Sequence, residues 1–595
     1  MARWKTAVEM FEARVAASGD KPALRIKEAG TWRTRSWKDW ARTAREIAAG
    51  LRALGLANGD RVSILSNTRA EWVETDVGIL YAGGVTVPIY QSNTPKECEF
   101  IIVDSRARVV FAEDKLQLDK LLAVRGGLGD VVRVILIAGA VPDGTGDWVT
   151  TLADLRASGV AWLEKNRLEA ANALTSEDIF TIVYTSGTTG PPKGVVLTHG
   201  NICFECEALE RCLAIGTEDE QLLFLPLAHI FAKILEWTAI SQGAVTAFAE
   251  SIPQLIPNMQ EVRPTFMGAV PRVYEKAYAK IMGSFEAKRQ KAISRSIIDF
   301  AMAAGRRRSE AARNGKTLAG FAAVKAQLAD KLVFQKIQAT FGGRLRFFVS
   351  GGAPLAQEIA EFFHTCGILV LEGYGLTETT ASTHVNRPDA YRFGTVGQAL
   401  PGVEVKIAAD GEILVRGPNI LREYFGKPDA TREALDPAEA NGPNGPSVSG
   451  SWFHTGDVGV LEDGFLRITD RKKDIIVTAG GKNVAPQNIE GALKAHCPQV
   501  SQVMVHGDKR PYLVALITVN PEMAGKPDVE PTITAAVKKL NDSLPSYETI
   551  KKFKILASDL SQEAGELTPT LKVKRKQVSE KYRAELDAFY SAENP

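Results

Sequence analysis

The chain has 595 residues, of which 45% are hydrophobic and 24% are charged, with a formal net charge of +2. This length exceeds what one hydrophobic core supports, so several lobes are expected, and the small net charge gives no whole-chain attraction for nucleic acid. The six cysteines do not form a disulfide scaffold, residues 1–5 lack the apolar core of a signal peptide, and the apolar windows are too short to span a membrane, so a cytoplasmic location is expected.

Short β-branched segments alternate with helical patterns through the first 250 residues. Strands are predicted at 61–65, 85–90, 108–111, 132–138 and 179–184, and helices at 41–54 and 96–104. This alternation predicts layered α/β sheets that are partly parallel. Residues 436–451 are rich in Pro, Gly, Asn and Ser and are predicted to form a surface loop.

A loop rich in glycine and hydroxyl groups follows the apolar run 179–184. Its candidate ligand-binding residues are Thr185, Ser186, Gly187, Thr188, Thr189, Gly190 and Lys193. Glycines allow the backbone to approach a ligand, and the hydroxyls and lysine add donors and positive charge, which suits a polyphosphate. Gly194 follows Lys193 where a Walker A loop needs Ser or Thr, so a P-loop NTPase is disfavoured. For this loop alone, a flexible linker is the alternative.

A second cluster of candidate residues follows another apolar run, 368–371. It comprises Glu372, Gly373, Tyr374, Gly375, Thr377 and Glu378. An aromatic ring between two glycines is suited to a flat ligand, and a carboxylate is suited to Mg²⁺. Upstream, Gly351, Gly352 and Ala353 form a turn small enough for a base to lie against its backbone.

These segments, with 452–457, 470–474, 480–484 and 567–575 in the same order, resemble the acyl-adenylate-forming family of acyl-CoA synthetases, luciferases and peptide-synthetase adenylation domains. The resemblance covers essentially the whole chain. It implies a large N-terminal domain, 1–470, of layered α/β sheets with a β-barrel-like lobe. A small mobile α+β domain, 471–595, is expected to follow and to rotate about Lys473. Many relatives carry Asp at this hinge, which leaves the detailed role of the lysine open.

The resemblance also implies a two-step reaction. A carboxylate attacks the α-phosphate of ATP and releases pyrophosphate, and a thiol then displaces AMP from the acyl-adenylate. Matched residue by residue, the family assigns Mg²⁺ to Glu378 and Thr185, and the phosphates to Thr188, Thr189 and Lys193. Lys572 matches the catalytic lysine that bridges the carboxylate and the α-phosphate; an ordinary basic tail is the alternative interpretation.

The remaining implied roles concern the nucleoside, the carboxylate and the thiol. Tyr374 is expected to stack on adenine beside the 351–353 backbone, and Asp457 and Arg471 to hold the ribose hydroxyls. His229 matches the residue that closes the carboxylate pocket, although a core histidine would show the same pattern. After rotation, the face formed by Gly480, Gly481 and Lys482 is expected to bind CoA.

The segment 283–346 is unusually basic. Residues 286–346 contain 14 Lys or Arg and four Asp or Glu. This helical insertion is interpreted either as a solvated surface or as a patch for anionic lipid on the inner face of the membrane.

Three features favour a long-chain fatty acid as substrate. They are the basic insertion, the apolar stretch 265–274 as a tunnel wall, and blocks 477–483 and 567–574, which look like those of bacterial long-chain fatty acid–CoA ligases. ATP, Mg²⁺ and CoA are then the expected small molecules. A fatty acyl-AMP ligase that loads a carrier protein and a non-catalytic lipid-binding protein are the alternatives. The oligomeric state stays open, with a homodimer as one option. Cys203, Cys206 and Cys212 lie on a helical pattern and are not predicted to bind zinc.

Overall fold

The computed structural model describes residues 3–185, 191–436, 450–521, 523–568 and 571–591. Within these residues, two large mixed sheets flanked by helices are followed by a smaller unit with its own sheet. This is the layered α/β architecture that the alternation of strand and helix patterns predicts.

The first half of the chain alternates strands and helices. In chain order the elements are α1 (Ala7–Ser18), β1 (Pro22–Glu28), β2 (Thr31–Ser36), α2 (Trp37–Ala53), β3 (Arg61–Leu65), α3 (Ala70–Tyr81), β4 (Val85–Ile89), α4 (Pro95–Ser105), β5 (Ala107–Ala112), α5 (Lys115–Ala123), β6 (Arg133–Leu136), β7 (Val149–Thr151), α6 (Leu152–Leu163), β8 (Ile179–Thr185), β9 (Lys193–Thr198), α7 (His199–Leu213), β10 (Glu220–Leu223), α8 (Ile230–Gln242), β11 (Val245–Phe248), α9 (Leu255–Val262) and β12 (Phe266–Ala269).

The second half contains a helical insertion, an antiparallel region and the C-terminal unit. Its elements are α10 (Pro271–Arg289), α11 (Ala292–Arg313), α12 (Gly320–Ala329), α13 (Gln335–Thr340), β13 (Phe347–Ser350), α14 (Gln357–Thr365), β14 (Leu369–Tyr374), β15 (His384–Val385), β16 (Gln398–Ala399), β17 (Glu404–Ile407), β18 (Glu412–Arg416), β19 (Glu423–Tyr424), α15 (Pro428–Ala434), β20 (Phe453–Glu462), β21 (Phe465–Arg471), β22 (Ile476–Val477), β23 (Asn483–Val484), α16 (Pro486–His496), β24 (Val500–His506), β25 (Leu513–Val519), α17 (Val529–Asn541), β26 (Ile550–Ile555), α18 (Arg575–Lys581) and α19 (Arg583–Ser591).

The first sheet is parallel at its centre and antiparallel at one edge. Its strand order in the described part of the chain is β19–β9–β8–β4–β3–β5–β6–β7. Strands β4, β3, β5 and β6 pair in parallel, whereas β8 and β9 form an antiparallel pair. The loop between β8 and β9 is the predicted phosphate-binding loop, so it lies at the end of a hairpin.

The second sheet also changes direction along its width. Its order over the described ranges is β17–β18–β20–β21–β16–β15–β14–β13–β12–β10–β11–β1–β2. Strands β1 and β10 to β14 pair in parallel, whereas β15 to β18, β20 and β21 form the antiparallel part of the sheet. The residues that follow β13 and β14 therefore emerge at one edge of the sheet, next to the antiparallel strands.

Local capping signals start the helices that pack on these sheets. Ser36 and Asp39 form a reciprocal capping box at α2, and Thr198 and Asn201 form another at α7. Such caps satisfy backbone N–H groups that have no partner inside the helix. Behind its cap, α2 buries Trp40 in the largest core cluster.

The C-terminal unit has its own hydrophobic core. Strands β24, β25 and β26 form its sheet, and α16 and α17 pack on it through Leu493 and Ile533. The proposed domain boundary at 470/471 falls at the end of β21, one residue before the strand ends at Arg471.

The basic insertion is helical, as predicted. Helices α10, α11, α12 and α13 lie between β12 and β13, with a π-helical turn at Asp330–Phe334. Among the described residues, no helix combines the length and apolar character that crossing a bilayer requires.

Candidate functional site

The two ends of the Gly/Ser/Thr-rich loop are fixed by the hairpin. Thr185, the last residue of β8, pairs with Lys193, the first residue of β9. The Lys193 ammonium lies 5.0 Å from the centroid of the Tyr424 ring, which comes from the neighbouring strand β19. The predicted ligand-binding residues between these ends (Ser186, Gly187, Thr188, Thr189 and Gly190) lie outside the described residues.

Glu378, which follows β14 of the second sheet, lies close to Tyr424 and Lys193. It lies in a short helical turn, Thr377–Thr379, that follows β14. The Tyr424 hydroxyl donates a hydrogen bond of 2.9 Å to Glu378 Oε1. Burial raises the pKa of Glu378, and its backbone hydrogen bond, the Tyr424 hydroxyl and the charges on Arg471 and Lys193 oppose this shift. Tyr424 was not predicted as a site residue, because nothing in its local sequence marks it as a ligand.

The side chains near Glu378 fit the predicted magnesium site. Mg²⁺ binds proteins through one or two carboxylates and completes its shell with phosphate oxygens and water. Glu378 supplies a buried carboxylate, and its raised pKa is what a cation at this position would counteract. The Thr185 hydroxyl is the second predicted donor, at the end of β8.

Asp457, Arg471 and Tyr374 form a connected group at the antiparallel end of the second sheet. The register of β20 and β21 places Asp457 opposite Arg471, and Arg471 Nε lies 3.2 Å from Asp457 Oδ1. The Tyr374 hydroxyl donates to Asp457 Oδ2 at 2.8 Å. Burial raises the pKa of Asp457, and the charges on Arg471 and Lys572 oppose that shift. The ionised carboxylate has two acceptor oxygens, which suits it to accept hydrogen bonds from two ribose hydroxyls.

The predicted adenine slot lies where β13 and β14 end. Gly352 has a φ of +85°, which favours glycine, and a Cβ on Gly351 would lie 3.2 Å from the Phe231 ring. Ala353 follows these two glycines in the same turn. The backbone here therefore has no side chain between it and a flat ligand.

Glu372 lies beside this turn, and one of its carboxylate oxygens has no hydrogen-bond partner among the described residues. Its Oε2 accepts a hydrogen bond of 3.4 Å from the Leu355 N–H, and its Oε1 is buried without a partner in the described part of the chain. Burial raises the pKa of Glu372 to about 8. Gly373 and Gly375 flank Tyr374; a Cβ on Gly375 would lie 1.9 Å from the Ala381 carbonyl oxygen, so only glycine fits there.

Lys572 reaches this site from the C-terminal unit. Leu567 and Val573 form an isolated β-bridge, and the Lys572 carbonyl accepts from the Thr568 N–H at 2.8 Å, so the lysine lies in a closed loop. Burial and the charge on Arg471 lower the pKa of Lys572 to about 8, while Asp457 opposes the change. Lys572 is partly buried and close enough to the Asp457 carboxylate and the Arg471 guanidinium for their charges to shift its pKa, which would not be expected of an ordinary basic tail.

His229 is near enough to Lys572 for its charge to act on the ring, and it caps α8. Its Nδ1 accepts a hydrogen bond of 3.2 Å from the Phe231 N–H. Burial and the charge on Lys572 lower the pKa of His229 to about 4, so the ring is neutral at physiological pH. With Nδ1 accepting, the proton of the neutral imidazole is on Nε2, which leaves one N–H donor for a ligand.

The predicted CoA-binding residues are not brought to the nucleotide site in this arrangement. Gly480, Gly481 and Lys482 form an exposed turn between β22 and β23, in which the Gly481 N–H donates to the Thr478 carbonyl at 2.8 Å. Lys473, the predicted hinge, is exposed just after β21. These positions are compatible with a second domain orientation and do not test it.

Two polar contacts join α10 to the C-terminal unit. Arg272 donates to the Ser501 carbonyl at 2.6 Å and to the Ser501 hydroxyl, and it lies 3.6 Å from Asp559. One turn further on, Glu275 forms an ion pair of 2.6 Å with Lys494. These contacts hold the orientation in which Lys572 enters the site. They were not predicted, because each joins residues more than 200 positions apart.

The apolar stretch 265–274 is packed as the core strand β12 and the first turn of α10. Phe266 and Met267 in β12 are fully buried, and a Cβ on Gly268 would lie 2.1 Å from Leu235. Leu235 therefore fills the space that the small residue leaves, and the acyl tunnel stays a prediction. The cysteines on α7 are buried, and within the described ranges no group of three or more His, Cys, Asp or Glu side chains is arranged to hold a metal ion.

Comparison with known protein families gives the class of this chain. A family model described as "AMP-binding enzyme" matches residues 11–425, and one described as "AMP-binding enzyme C-terminal domain" matches residues 473–594. The chain belongs to the AMP-binding enzyme family. The resemblance to acyl-adenylate-forming enzymes and the predicted fold class are thereby confirmed.

The individual relatives of this chain include long-chain-fatty-acid–CoA ligases. The chain is 37% identical to the long-chain-fatty-acid–CoA ligase FadD15 of Mycobacterium bovis, over 95% of this chain and 93% of that protein. It is 31% identical to the long-chain-fatty-acid–CoA ligase ACSBG2 of Xenopus laevis, over 98% of this chain and 83% of the relative. The fold is similar to the A-PCP didomain of a carboxylic acid reductase from Segniliparus rugosus, with a TM-score of 0.77, 21% identity and coverage of 99% and 82%.

Proposed function

We propose that this chain is an AMP-forming long-chain fatty acid–CoA ligase. It converts a fatty acid and ATP into an acyl-adenylate and pyrophosphate, and then transfers the acyl group to CoA with release of AMP. The observation that carries the proposal is that Lys572, from the C-terminal domain, interacts through its charge with His229 and with the Asp457–Arg471 pair. The relatives at 31–37% identity, which are named as long-chain-fatty-acid–CoA ligases, support the substrate class.

The first half-reaction brings two anions together, so positive charge matters more than a base. Lys193 and the neighbouring loop bind the phosphates, and Lys572 bridges the attacking carboxylate and the α-phosphate. Glu378 and Thr185 would hold Mg²⁺, which would supply further positive charge to the leaving pyrophosphate. A lysine suits the bridging role because it is a compact charge on a long stem.

The nucleoside is held by the two groups at the sheet edge. Asp457 and Arg471 bind the ribose hydroxyls, and Tyr374 stacks on the base. Glu372 Oε1, which is buried without a partner in the described residues, accepts from the adenine amino group. An adenine therefore satisfies an oxygen that otherwise stays desolvated, which favours adenosine over nucleosides without that donor.

The carboxylate end is closed by His229. Because the ring is neutral with its proton on Nε2, it donates one hydrogen bond to the substrate carboxylate and adds no charge that would compete with Lys572. The neutral ring also avoids repulsion with the bridging ammonium.

The second half-reaction uses the other face of the C-terminal domain. Rotation about Lys473 withdraws Lys572 and brings the turn formed by Gly480, Gly481 and Lys482 to the thiol entrance. The contacts of α10 with Ser501 and Lys494 must break for this movement. Two catalytic tasks then alternate on one domain, as in other enzymes gated by a conformational step.

Chain length is the test of the substrate class. Each buried methylene contributes about 0.8 kcal/mol, close to fourfold in affinity. Apparent affinity should therefore rise with acyl length until the tunnel ends. A flat or falling trend across medium and long acids would contradict the long-chain assignment.

The decisive experiment measures pyrophosphate release with a panel of carboxylic acids, with and without CoA. Lys572→Ala should abolish adenylation, whereas Lys576→Ala, an exposed lysine four residues away, should retain it. Release that favours long acids and yields acyl-CoA supports the proposal. Adenylation without acyl-CoA would indicate a ligase that loads a carrier protein. Equal loss in both variants would remove Lys572 from the catalytic role, and no release from any acid by the wild type would favour a non-catalytic lipid-binding protein.

A further inference from the structure

The helix α12 presents an unusual surface: it is apolar on both faces, and one face is open to solvent. On its inner side Ala326 and Ala329 are buried. The outward side chains of this segment have exposed fractions of 74% for Phe321, 57% for Val324, 47% for Leu328 and 42% for Leu332. We call these four residues the α12 face.

The α12 face is continuous. With about 100° between successive residues of an α-helix, positions 321, 324 and 328 fall within an arc of roughly 60°, and exposed Leu332 continues the stripe in the π-helical turn that follows α12. Isolated exposed apolar side chains are ordinary, but a contiguous apolar stripe marks a surface that contacts something else.

Lysines border this stripe. At about 100° per residue, Lys325 falls at one side of the arc, and the exposed Lys331 directly precedes Leu332 in the π-helical turn. The Lys325 ammonium lies 4.7 Å from the centroid of the Phe321 ring. Lys316 and Lys336 flank the segment in sequence. None of these four lysines forms an ion pair within the part of the chain that the structure describes.

Two of the four acidic side chains in residues 286–346 are paired with arginines of the same insertion. Asp330 accepts two hydrogen bonds from Arg308 at 2.6 and 2.7 Å, and Asp299 pairs with Arg289 at 2.8 Å. The positive charge of residues 286–346 therefore has little internal compensation.

We propose that the α12 face and its bordering lysines dock on the surface of an anionic phospholipid bilayer. Apolar side chains enter the boundary between headgroups and acyl chains, and lysines remain at the level of the lipid phosphates. Charge complementarity favours this occupant over a second copy of the chain, because two copies would bring their own lysines together.

The position of the insertion relates bilayer docking to substrate delivery. Helix α10 leaves the second sheet directly after β12, and β13 returns to it just before Gly351. The insertion therefore joins the sheet next to the nucleotide site. Only this link to substrate delivery rests on the proposed function; bilayer binding itself does not.

The test is co-flotation of the full chain with vesicles of phosphatidylglycerol and phosphatidylcholine, compared with phosphatidylcholine alone. Binding should require phosphatidylglycerol and weaken as salt is raised. Phe321→Ser combined with Leu328→Ser should lower the partition coefficient by about tenfold or more, from the apolar area lost. Leu116→Ser with Ile252→Ser, two exposed apolar residues elsewhere, is the matched control and should leave binding unchanged.

A second pair of variants tests the charge. Lys325→Gln with Lys331→Gln should lower binding by about tenfold or more, since each basic residue near an anionic surface contributes about fivefold. Lys96→Gln with Lys165→Gln is the control for loss of two exposed lysines. Pyrophosphate release with a short, water-soluble acid, or thermal unfolding if that assay shows no activity, checks that each variant is folded.

Two results would overturn the proposal. One is equal binding to neutral and anionic vesicles, or none to either. The other is vesicle binding unaffected by the α12 variants, with a shift from dimer to monomer in light scattering, which would assign the face to self-association. Because flotation needs neither ATP nor acid, its outcome is independent of whether the chain proves to be a ligase.

Discussion

The contacts of α10 with the C-terminal domain predict a variant that separates the two half-reactions. Arg272→Ala removes the hydrogen bonds to Ser501 and the attraction to Asp559, which hold Lys572 in the site. Hydrogen bonds to a charged group contribute about 1.5–3 kcal/mol each, equivalent to about 10- to 150-fold in the equilibrium between domain orientations. The Arg272 side chain is largely buried, so solvent screens these contacts little.

The expected result is a selective slowing of adenylation. Pyrophosphate release in the absence of CoA should fall by about 10- to 100-fold, because the orientation that carries Lys572 is less populated. Thioester formation from preformed acyl-adenylate and CoA should be unchanged or faster, since that step needs the contacts broken. Single-turnover measurements of each half-reaction separate the two effects.

A matched control comes from the same helix. Lys276 is exposed on α10, and Lys276→Ala removes one positive charge without touching the C-terminal domain, so both half-reactions should keep their rates. Lys494→Ala breaks the second contact, with Glu275, and should act in the same direction as Arg272→Ala. Equal slowing of both half-reactions by Arg272→Ala would refute this reasoning and point to a general loss of structure.

Other consequences can be checked directly. Because only charged Lys572 can bridge two anions and its pKa is lowered to about 8, kcat/KM for adenylation should fall as pH rises through 8; the thioester step from preformed adenylate should lack this limb. Lys233→Ala should lower the free energy of unfolding by about 3–5 kcal/mol, because it leaves Asp76, its partner at 2.6 Å, buried and without its counter-charge. Lys38→Ala, which breaks an exposed ion pair, should cost less than about 1 kcal/mol in the same denaturant titration, and similar losses for both would contradict the burial argument. All six cysteines are buried, so a thiol reagent should modify none quickly in the native protein and six after denaturation.

The strands and helices were predictable where a segment showed either a β-branched apolar run or a helical periodicity of apolar residues, but not both. Strand β3 occupies the predicted residues 61–65, and β8 extends the predicted 179–184 by one residue. The helix predicted at 41–54 instead begins at Trp37, because the Ser36–Asp39 capping box starts it before its apolar periodicity is evident. The strand predicted at 132–138 is shorter, Arg133–Leu136, although the Ile137 N–H still bonds to the neighbouring strand.

The candidate site was predictable only where its residues lie in compact sequence blocks. Asp457, Arg471 and Lys572 were identified by resemblance, and the structure brings all three together. The Tyr424–Glu378 and Arg272–Ser501 contacts form by tertiary packing between distant segments, and no local sequence pattern predicts them. Long-range contacts of this kind follow from the fold and not from the pattern around either residue.

The second sheet also dictates the order in which the chain can fold. Strand β1 pairs on one side with β11, where Leu24 lies opposite Thr246. At synthesis rates of about 5–20 residues per second, β1 waits roughly 10–45 s for this neighbour to be made. During that interval the β1–β2 hairpin exposes one apolar face and an unpaired edge, a template for association with other nascent chains. Added chaperone, which binds exposed apolar segments during synthesis, should therefore raise the yield of folded protein.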